Sequence, residues 1–305
     1  MKIRFGVGLG AGSSLPDFSR IVDRLERDGV DSLWLSEHIY SDAVDPFIGM
    51  AHALSRTSRL KVGTSVAVLP GRHPVLVAKQ LVSLAGLAPR RVLPVLGLQP
   101  ARPDERELFP APDGRRGALF DESLELLRAS LAGEVVDFDG EYLAVASARL
   151  APLPARPLDI WLGGSAPAGL RRVGRYGDGW LGSFLTPEEA GRARETIRAA
   201  AGEAGREIEP DHFGISLTVA EDGIPQELAA AVRRRAPESD PRELVADGWP
   251  ELHRLLDGYV EAGLSKFVIY PAGAVAGAGV GAASRAQSFD SFLDRFETEL
   301  LPRQN

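Results

Sequence analysis

Three polar residues in a row, Ser36-Glu37-His38, follow the apolar stretch Leu33-Trp34-Leu35. A short continuous apolar run of this kind reads as a buried parallel strand, so the three emerge where that strand ends. In parallel α/β folds the C-terminal ends of the strands carry ligands and chemistry. An imidazole there can give a proton to a reacting carbonyl, because its ordinary pKa lies near neutral pH. The plainer alternative is a histidine that only closes the turn. A second constellation is Gly163-Gly164-Ser165, where the apolar run Ile160-Trp161-Leu162 breaks and a helix opens near Ala166-Pro167. Glycines let backbone N–H groups approach an anion, and a helix start adds partial positive charge, so the pattern fits a phosphate. Two glycines at such a turn also serve a tight bend and nothing more. His73, behind Pro70-Gly71-Arg72 and before Pro74, reads as a helix N-cap or as a ligand neighbour. His52, His212 and His253 read as structural, and Gly177-Asp178-Gly179-Trp180 as turn and packing chemistry at the opposite end of the strands. No His/carboxylate grouping has metal-ligand spacing, so no metal site is expected.

The elements that must position these residues alternate along the whole chain. Apolar runs predict strands over Ile3–Gly8, Ser32–Leu35, Leu60–Val68, Val92–Leu96, Leu158–Leu162, Gly179–Phe184, Phe213–Val219 and Lys266–Tyr270. Helical spacing falls between them. Asp17 is placed to cap a first helix that stops at Gly29, and Asp45-Pro46 opens a second. Further helices are expected at 74–87, 117–132, 166–176, 187–204, 225–235, 249–262 and 289–300. Eight strands alternating with helices are the count of a (β/α)₈ TIM barrel, with an open doubly wound sheet as the alternative. One domain over 1–305 is expected. Val135–Val145 reads as a small β-hairpin insertion around Asp139-Gly140. The Gly/Ala-rich stretch Ala272–Ser284 reads as a connector, or as a lid or phosphate-cradling loop.

The 305 residues carry a formal net charge of −7, which offers no general basic surface for nucleic acid. The absence of cysteine excludes disulfides, thiol nucleophiles and Cys-ligated metal centres. The opening MKIRFGVGLG has no charged n-region followed by a long apolar stretch, so secretion is not expected, and no segment approaches the roughly 18 apolar residues of a membrane span. A cytoplasmic enzyme with a small-molecule substrate, and without membrane or nucleic-acid partners, is expected.

TSVAVLPGRHPVLVAKQLVSLAGLAPRRVLPVLGLQ (64–99) resembles the third and fourth strand region of the bacterial luciferase-like monooxygenase family, in particular members using the deazaflavin coenzyme F420. The resemblance returns in LWLSEH (33–38), IWLGGSAPAGLRRVGRYGDGWLGSF (160–184) and EAGREIEPDHFG (203–214). The last two stretches resemble a narrower subgroup of coenzyme F420-dependent oxidoreductases. The resemblance implies a luciferase-like barrel that transfers a hydride between coenzyme F420 and a small organic substrate. It places Glu37 and His38 beside the deazaflavin ring as the catalytic pair. It places Ser65 and Val66 behind the ring, with a non-proline cis peptide bond at Ser65-Val66 or one bond away. Gly97 and Leu98 would line the next loop, and Gly163, Gly164 and Ser165 would hold phosphate. Family members commonly form homodimers around the second and third units, which points to the helices at 45–56 and 74–87. An FMN-dependent monooxygenase and a cofactor-free relative without activity remain as alternatives. One departure matters: sugar-phosphate dehydrogenases of the family carry Gly and then a general-base Glu after the fourth strand. Here the run is Leu96-Gly97-Leu98-Gln99-Pro100, with no carboxylate before Asp104 and Glu105, so their substrate does not carry over.

Overall fold

The computed structural model describes residues 2–13, 15–133, 135–221, 223–275 and 282–305. Its strands in chain order are β1 (Arg4–Leu9), β2 (Ser32–Leu35), β3 (Lys61–Thr64), β4 (Ala67–Val68), β5 (Val92–Leu93), β6 (Val95–Gly97), β7 (Val136–Asp139), β8 (Ala144–Ala148), β9 (Trp161–Gly163), β10 (Gly179–Ser183), β11 (Phe213–Ala220), β12 (Val245–Asp247) and β13 (Lys266–Pro271). The helices are α1 (Phe18–Asp28), α2 (Pro46–Arg56), α3 (Pro74–Leu87), α4 (Arg116–Ala132), α5 (Pro167–Tyr176), α6 (Pro187–Glu203), α7 (Gln226–Arg235), α8 (Pro241–Leu244), α9 (Trp249–Glu261), α10 (Ala272–Val275) and α11 (Ala282–Glu299). All strands except β7 and β8 belong to one curled parallel sheet, in the order β4-β6-β9-β10-β11-β13-β1-β2-β3-β5, with β12 paired to β11. The fold is α/β, with the strands wrapped round a common interior.

The expected third and fourth strands are each interrupted. The run Leu60–Val68 divides into β3 and β4 around Ser65-Val66, whose peptide bond is cis, and Val92–Gly97 divides into β5 and β6 at Pro94. Proline cannot donate to a ladder, and a side chain takes over at the break. The buried Thr64 hydroxyl donates to the Val95 carbonyl at 2.6 Å and accepts from the Val95 amide at 2.8 Å. Trp161–Gly163 is shorter than the run from Leu158, and β12 was not expected at all. Val136–Asp139 and Ala144–Ala148 pair antiparallel with an irregular register, beside α4.

Alternation along β1 explains how the interior is filled. Phe5, Val7 and Leu9 face the helices and join the large core there, whereas Gly6 and Gly8 face inward. A Cβ on Gly6 would collide with Trp34, and one on Gly8 with the ring of Tyr270. Trp34, Trp161, Leu181, Val268 and Tyr270 form the separate inner cluster, against which Val66 and Leu93 pack. A few large rings against glycines thus replace even layers of branched side chains. At the N-terminal end of the strands Asp31 accepts from Lys61 at 2.6 Å and Lys266 at 3.2 Å, which closes that side with paired charge.

Helix starts largely follow the local chemistry. Asp45 caps α2 by accepting from the Ile48 amide, and Thr186 with Glu189 forms a reciprocal capping box on α6. Asp17 does not cap α1: its backbone is already helical, and its carboxylate meets Arg20 instead. His73 precedes α3 without a side-chain capping bond. The last helix begins earlier than the expected 289, and the centre of the Gly/Ala-rich stretch, 276–281, lies outside the described residues.

Candidate functional site

The C-terminal ends of β2, β3 and β13 converge on a chain of hydroxyls. The Ser36 amide extends the ladder by donating to the Leu9 carbonyl at 3.0 Å, and the Ser65 amide donates to the Leu35 carbonyl at 2.8 Å. With the backbone so fixed, the Ser36 hydroxyl reaches the Ser65 carbonyl and the Tyr270 hydroxyl, each at 3.2 Å. Tyr270 also meets the Ser65 hydroxyl directly. Burial pushes the Tyr270 phenol above its ordinary pKa, so it is present as a neutral hydroxyl at neutral pH. Tyr270 has a legible signal: it shares the inward parity of Lys266 and Val268, and its ring fills the space left by Gly8.

Glu37 and His38, adjacent in sequence, have separate fates. The Glu37 side chain is 1% exposed and accepts from both Arg72 guanidinium nitrogens, at 2.6 and 3.0 Å. It also accepts from the Val68 amide at 2.8 Å. Arg72 in turn stacks over Phe109, 4.8 Å from the ring centroid. Glu37, expected with His38 as a catalytic pair, is held in an ion pair and a backbone hydrogen bond. Both of its oxygens are engaged, and it ties the end of β2 to β4 and to the turn before α3.

His38 is half-buried, and its Nδ1 is buried without a hydrogen-bond partner among the described residues. Burial first, then the positive charges of Arg235 and Arg102, press its pKa down to about 4. His38 is thereby a neutral ring at neutral pH, suited to giving or accepting a hydrogen bond. Arg102 holds the same loop from above by donating to the Tyr40 carbonyl at 3.0 Å. Glu105, fully buried, accepts from the Tyr40 amide at 2.9 Å and leaves its Oε2 unpartnered. Ile39, Tyr40 and Leu108 leave an exposed apolar rim beside His38.

Val66 explains two of the glycines. A Cβ on Gly163 would lie 2.6 Å from a Val66 methyl, and one on Gly97 would collide with the other methyl. Gly97 and Gly163 thus make room for Val66, which stands half-buried on the inner cluster. Leu98, half-buried, packs against the outer core. Gly164 and Ser165 are exposed, and Gly164 has a φ of 111°, a conformation that favours glycine, with open space where a Cβ would stand. The Gly164 carbonyl accepts from the Trp180 indole at 2.8 Å, which turns the following amides toward α5. The N-cap of α5, Ala166, brings no capping side chain, so the first amides of the helix are left for another acceptor. Among the described residues no group of three or more metal-ligating side chains comes together. No described helix is long and apolar enough to cross a membrane. His212 donates from Nδ1 to the Asp178 carbonyl at 2.7 Å and tilts on Trp161, a packing role at the far end.

A parallel curled sheet with its polar residues gathered at the strand C-termini is the plan of the luciferase-like enzymes. The luciferase-like monooxygenase family model matches residues 1–256, and the chain belongs to that family. A relative from Mycobacterium tuberculosis (strain ATCC 25618 / H37Rv), an uncharacterised protein, is 36% identical over 163 residues. That match covers 53% of this chain and 56% of the relative, so the chain spans little more than half the length of that protein. An F420-dependent glucose-6-phosphate dehydrogenase of Beutenbergia cavernae is 29% identical over 318 residues, covering 91% of this chain and 90% of that one. Among solved structures, an F420-dependent secondary alcohol dehydrogenase in complex with an F420-acetone adduct superposes with a TM-score of 0.79 at 18% identity, covering 98% of each chain. The coenzyme F420 dependent tetrahydromethanopterin reductase of Methanopyrus kandleri gives 0.75 at 15% identity, covering the full length of both. At these identities the structural likeness establishes the fold alone.

Proposed function

We propose that this protein is an oxidoreductase that moves a hydride between coenzyme F420 and a small organic substrate. The observation that carries the reading is the buried, unpartnered Nδ1 of His38 beside the Ser36–Ser65–Tyr270 hydroxyls, at the ends of strands where this fold holds its ligands. A buried polar atom without a partner is costly unless a ligand supplies one. When bound, the deazaflavin accepts or delivers the hydride at its C5. The chain's own residues bind, orient and exclude water. Val66, lodged between Gly97 and Gly163, presents a fixed apolar surface to the back of a ring, with Ser65 held by Tyr270. The apolar rim of Ile39, Tyr40 and Leu108 covers its edge. Gly164, Ser165 and the uncapped start of α5 suit the phosphate. His38, neutral, hydrogen-bonds the substrate oxygen or the ring, and Glu37 acts as a positioning residue through Arg72 and Val68.

Closure of the sheet into a (β/α)₈ barrel fits the pairing of β3 with β5 and β4 with β6, since each half of the third strand meets the matching half of the fourth. One domain over the whole chain fits the continuous outer core, and the β7–β8 pair fits a hairpin inserted ahead of the fifth strand. A homodimer through α2 and α3 is supported by exposed Ile48, Leu76 and Leu87, at 66%, 66% and 83% exposure. Light scattering at micromolar concentration should give twice the monomer mass; a monomer overturns the pairing. A cytoplasmic location accords with a reduced-cofactor enzyme. Parallel fluorescence titrations with coenzyme F420 and FMN test the main reading. Tighter binding of coenzyme F420 is expected, and equal or tighter FMN binding favours the FMN-dependent monooxygenase. Binding of neither leaves a relative without cofactor.

A further inference from the structure

We infer that Glu105 is a positioning residue for His38: from the loop after β6 it fixes the chain two residues beyond the imidazole, and so sets the direction from which the ring meets a substrate; this rests on the hydride-transfer reading above. The 3₁₀ segment Pro103–Leu108 packs against the usual preference of its residue types. Its one buried residue is the acid Glu105, whereas Leu108 is exposed. A buried carboxylate is costly unless its oxygens find donors. The donor here is a backbone amide, that of Tyr40, which gives to Glu105 Oε1 at 2.9 Å. Arg102, at the head of the same segment, takes the other side of Tyr40 by donating to its carbonyl at 3.0 Å. Ser41 closes the turn by donating to the His38 carbonyl at 3.0 Å. The side chains of Ile39 and Tyr40 are exposed, so no core packing holds them, and the stretch rests on these hydrogen bonds.

The hold on His38 comes from both sides. Upstream of it Glu37 is fixed by Arg72, whose guanidinium lies 4.8 Å from the ring centroid of the buried Phe109. Phe109 directly follows the segment that carries Glu105, and its carbonyl accepts from Arg116 at 2.8 Å. The contacts close a circuit that runs from Glu37 through Arg72, Phe109, Glu105 and Tyr40, and back along the chain to His38. The residue before the imidazole and the one two places after it are thus tied to the same loop. The ring itself keeps an Nδ1 without a partner among the described residues, so its direction is set by its backbone. A group that must meet a reacting oxygen loses much of its effect when it is slightly misplaced, even by a change far from the chemistry. Glu105 spends one oxygen on Tyr40, and Oε2 has no partner among the described residues. An amide in place of the carboxylate therefore keeps the contact, because its carbonyl still accepts.

The experiment compares Glu105→Gln, which keeps the acceptor, with Glu105→Leu, which fills similar space without one. Thermal melts confirm that both are folded. In turnover of small alcohols with coenzyme F420, kcat should fall about tenfold or more in Glu105→Leu, while the affinity for the coenzyme and the kcat of Glu105→Gln stay within about threefold of wild type. The titration midpoint of the His38 carbon resonances should rise by about one pH unit or more in Glu105→Leu, as water reaches the released ring, and stay in place in Glu105→Gln. Equal loss of kcat in both variants makes the negative charge the working element and overturns the inference. An unchanged kcat and midpoint in Glu105→Leu overturn it too. In the wild type the Tyr40 amide proton should exchange about a hundredfold or more slowly than in an unstructured peptide; exchange at the unprotected rate overturns the hold without any variant. Amide exchange and the His38 titration need no coenzyme. A protein that shows both effects yet binds no coenzyme F420 upholds the hold of Glu105 on His38 and overturns the hydride-transfer reading alone.

Discussion

Acidification should leave His38 uncharged long after an ordinary histidine has taken up its proton. Its pKa of about 4, against the ordinary 6.5, follows first from burial and then from Arg235 and Arg102. The gap is worth about 3 kcal/mol as an upper bound, because a half-exposed path to solvent screens part of it. The sign follows from proton binding. Between pH about 6.5 and about 4 the unfolded chain carries this proton and the folded chain does not, so stability falls as the pH drops through that window. Above it the contribution of the neutral ring is fully present. At pH 7 about one ring in a thousand is protonated, which leaves little imidazolium for general-acid catalysis. His38→Ala should therefore cut turnover by about ten- to thirtyfold, the worth of a hydrogen bond, instead of the 10²–10⁴ of a lost proton donor. His38→Gln, which keeps a neutral donor, should recover most of it. The assay is a pH titration of the histidine carbon resonances, with His38 assigned by its absence in His38→Gln. A midpoint near 6.5 would refute the reasoning, as would a midpoint unchanged in Arg235→Gln, where it should rise.

Three further outcomes follow from contacts of the site and its frame. Arg72→Ala leaves the Glu37 carboxylate buried with one amide donor, and should destabilise the fold by about 3–5 kcal/mol in urea unfolding; Glu37→Gln/Arg72→Met should recover much of the loss. A loss under about 1 kcal/mol in the single variant would show that Glu37 is not tied as described. Gly97→Ala drives a Cβ into Val66 and should cost about 1–3 kcal/mol in stability while weakening coenzyme F420 in fluorescence titration; wild-type values in both would remove Val66 as the ring support. Glu26 accepts from Ser58, Arg59 and Leu60, and although burial pushes its pKa up, these hydrogen bonds bring it down to about 2. Its contribution is present above pH about 4.5 and is lost as the pH falls toward about 2, so the stability difference between wild type and Glu26→Gln should narrow across that window in melts at stepped pH.

Apolar runs marked the expected strand positions because each central strand is covered on both faces. The interruptions were less legible. Leu60–Val68 reads as continuous, since Ser65 and Val66 differ little in type from ordinary strand residues, and only the fold shows the break between β3 and β4. The Ser65-Val66 cis bond came from family resemblance, because no side chain announces it. Asp17 shows the limit of capping rules: a cap needs an extended backbone as well as a suitable side chain, and Asp17 has already entered the helical region. The contact of Arg235 with Phe184 had no readable signal, since three successive arginines give no indication of which one meets a ring 51 residues away.

The separation of Glu37 from His38 links the frame to the chemistry. Successive residues at the end of a strand face opposite ways, so one neighbour enters the wall while the other meets the cleft. The wall takes the carboxylate, because only a buried anion can gather Arg72 and the Val68 amide on one centre and so fix β4, the strand that places Val66. The cleft takes the imidazole, which burial keeps neutral at neutral pH and free to meet a ligand.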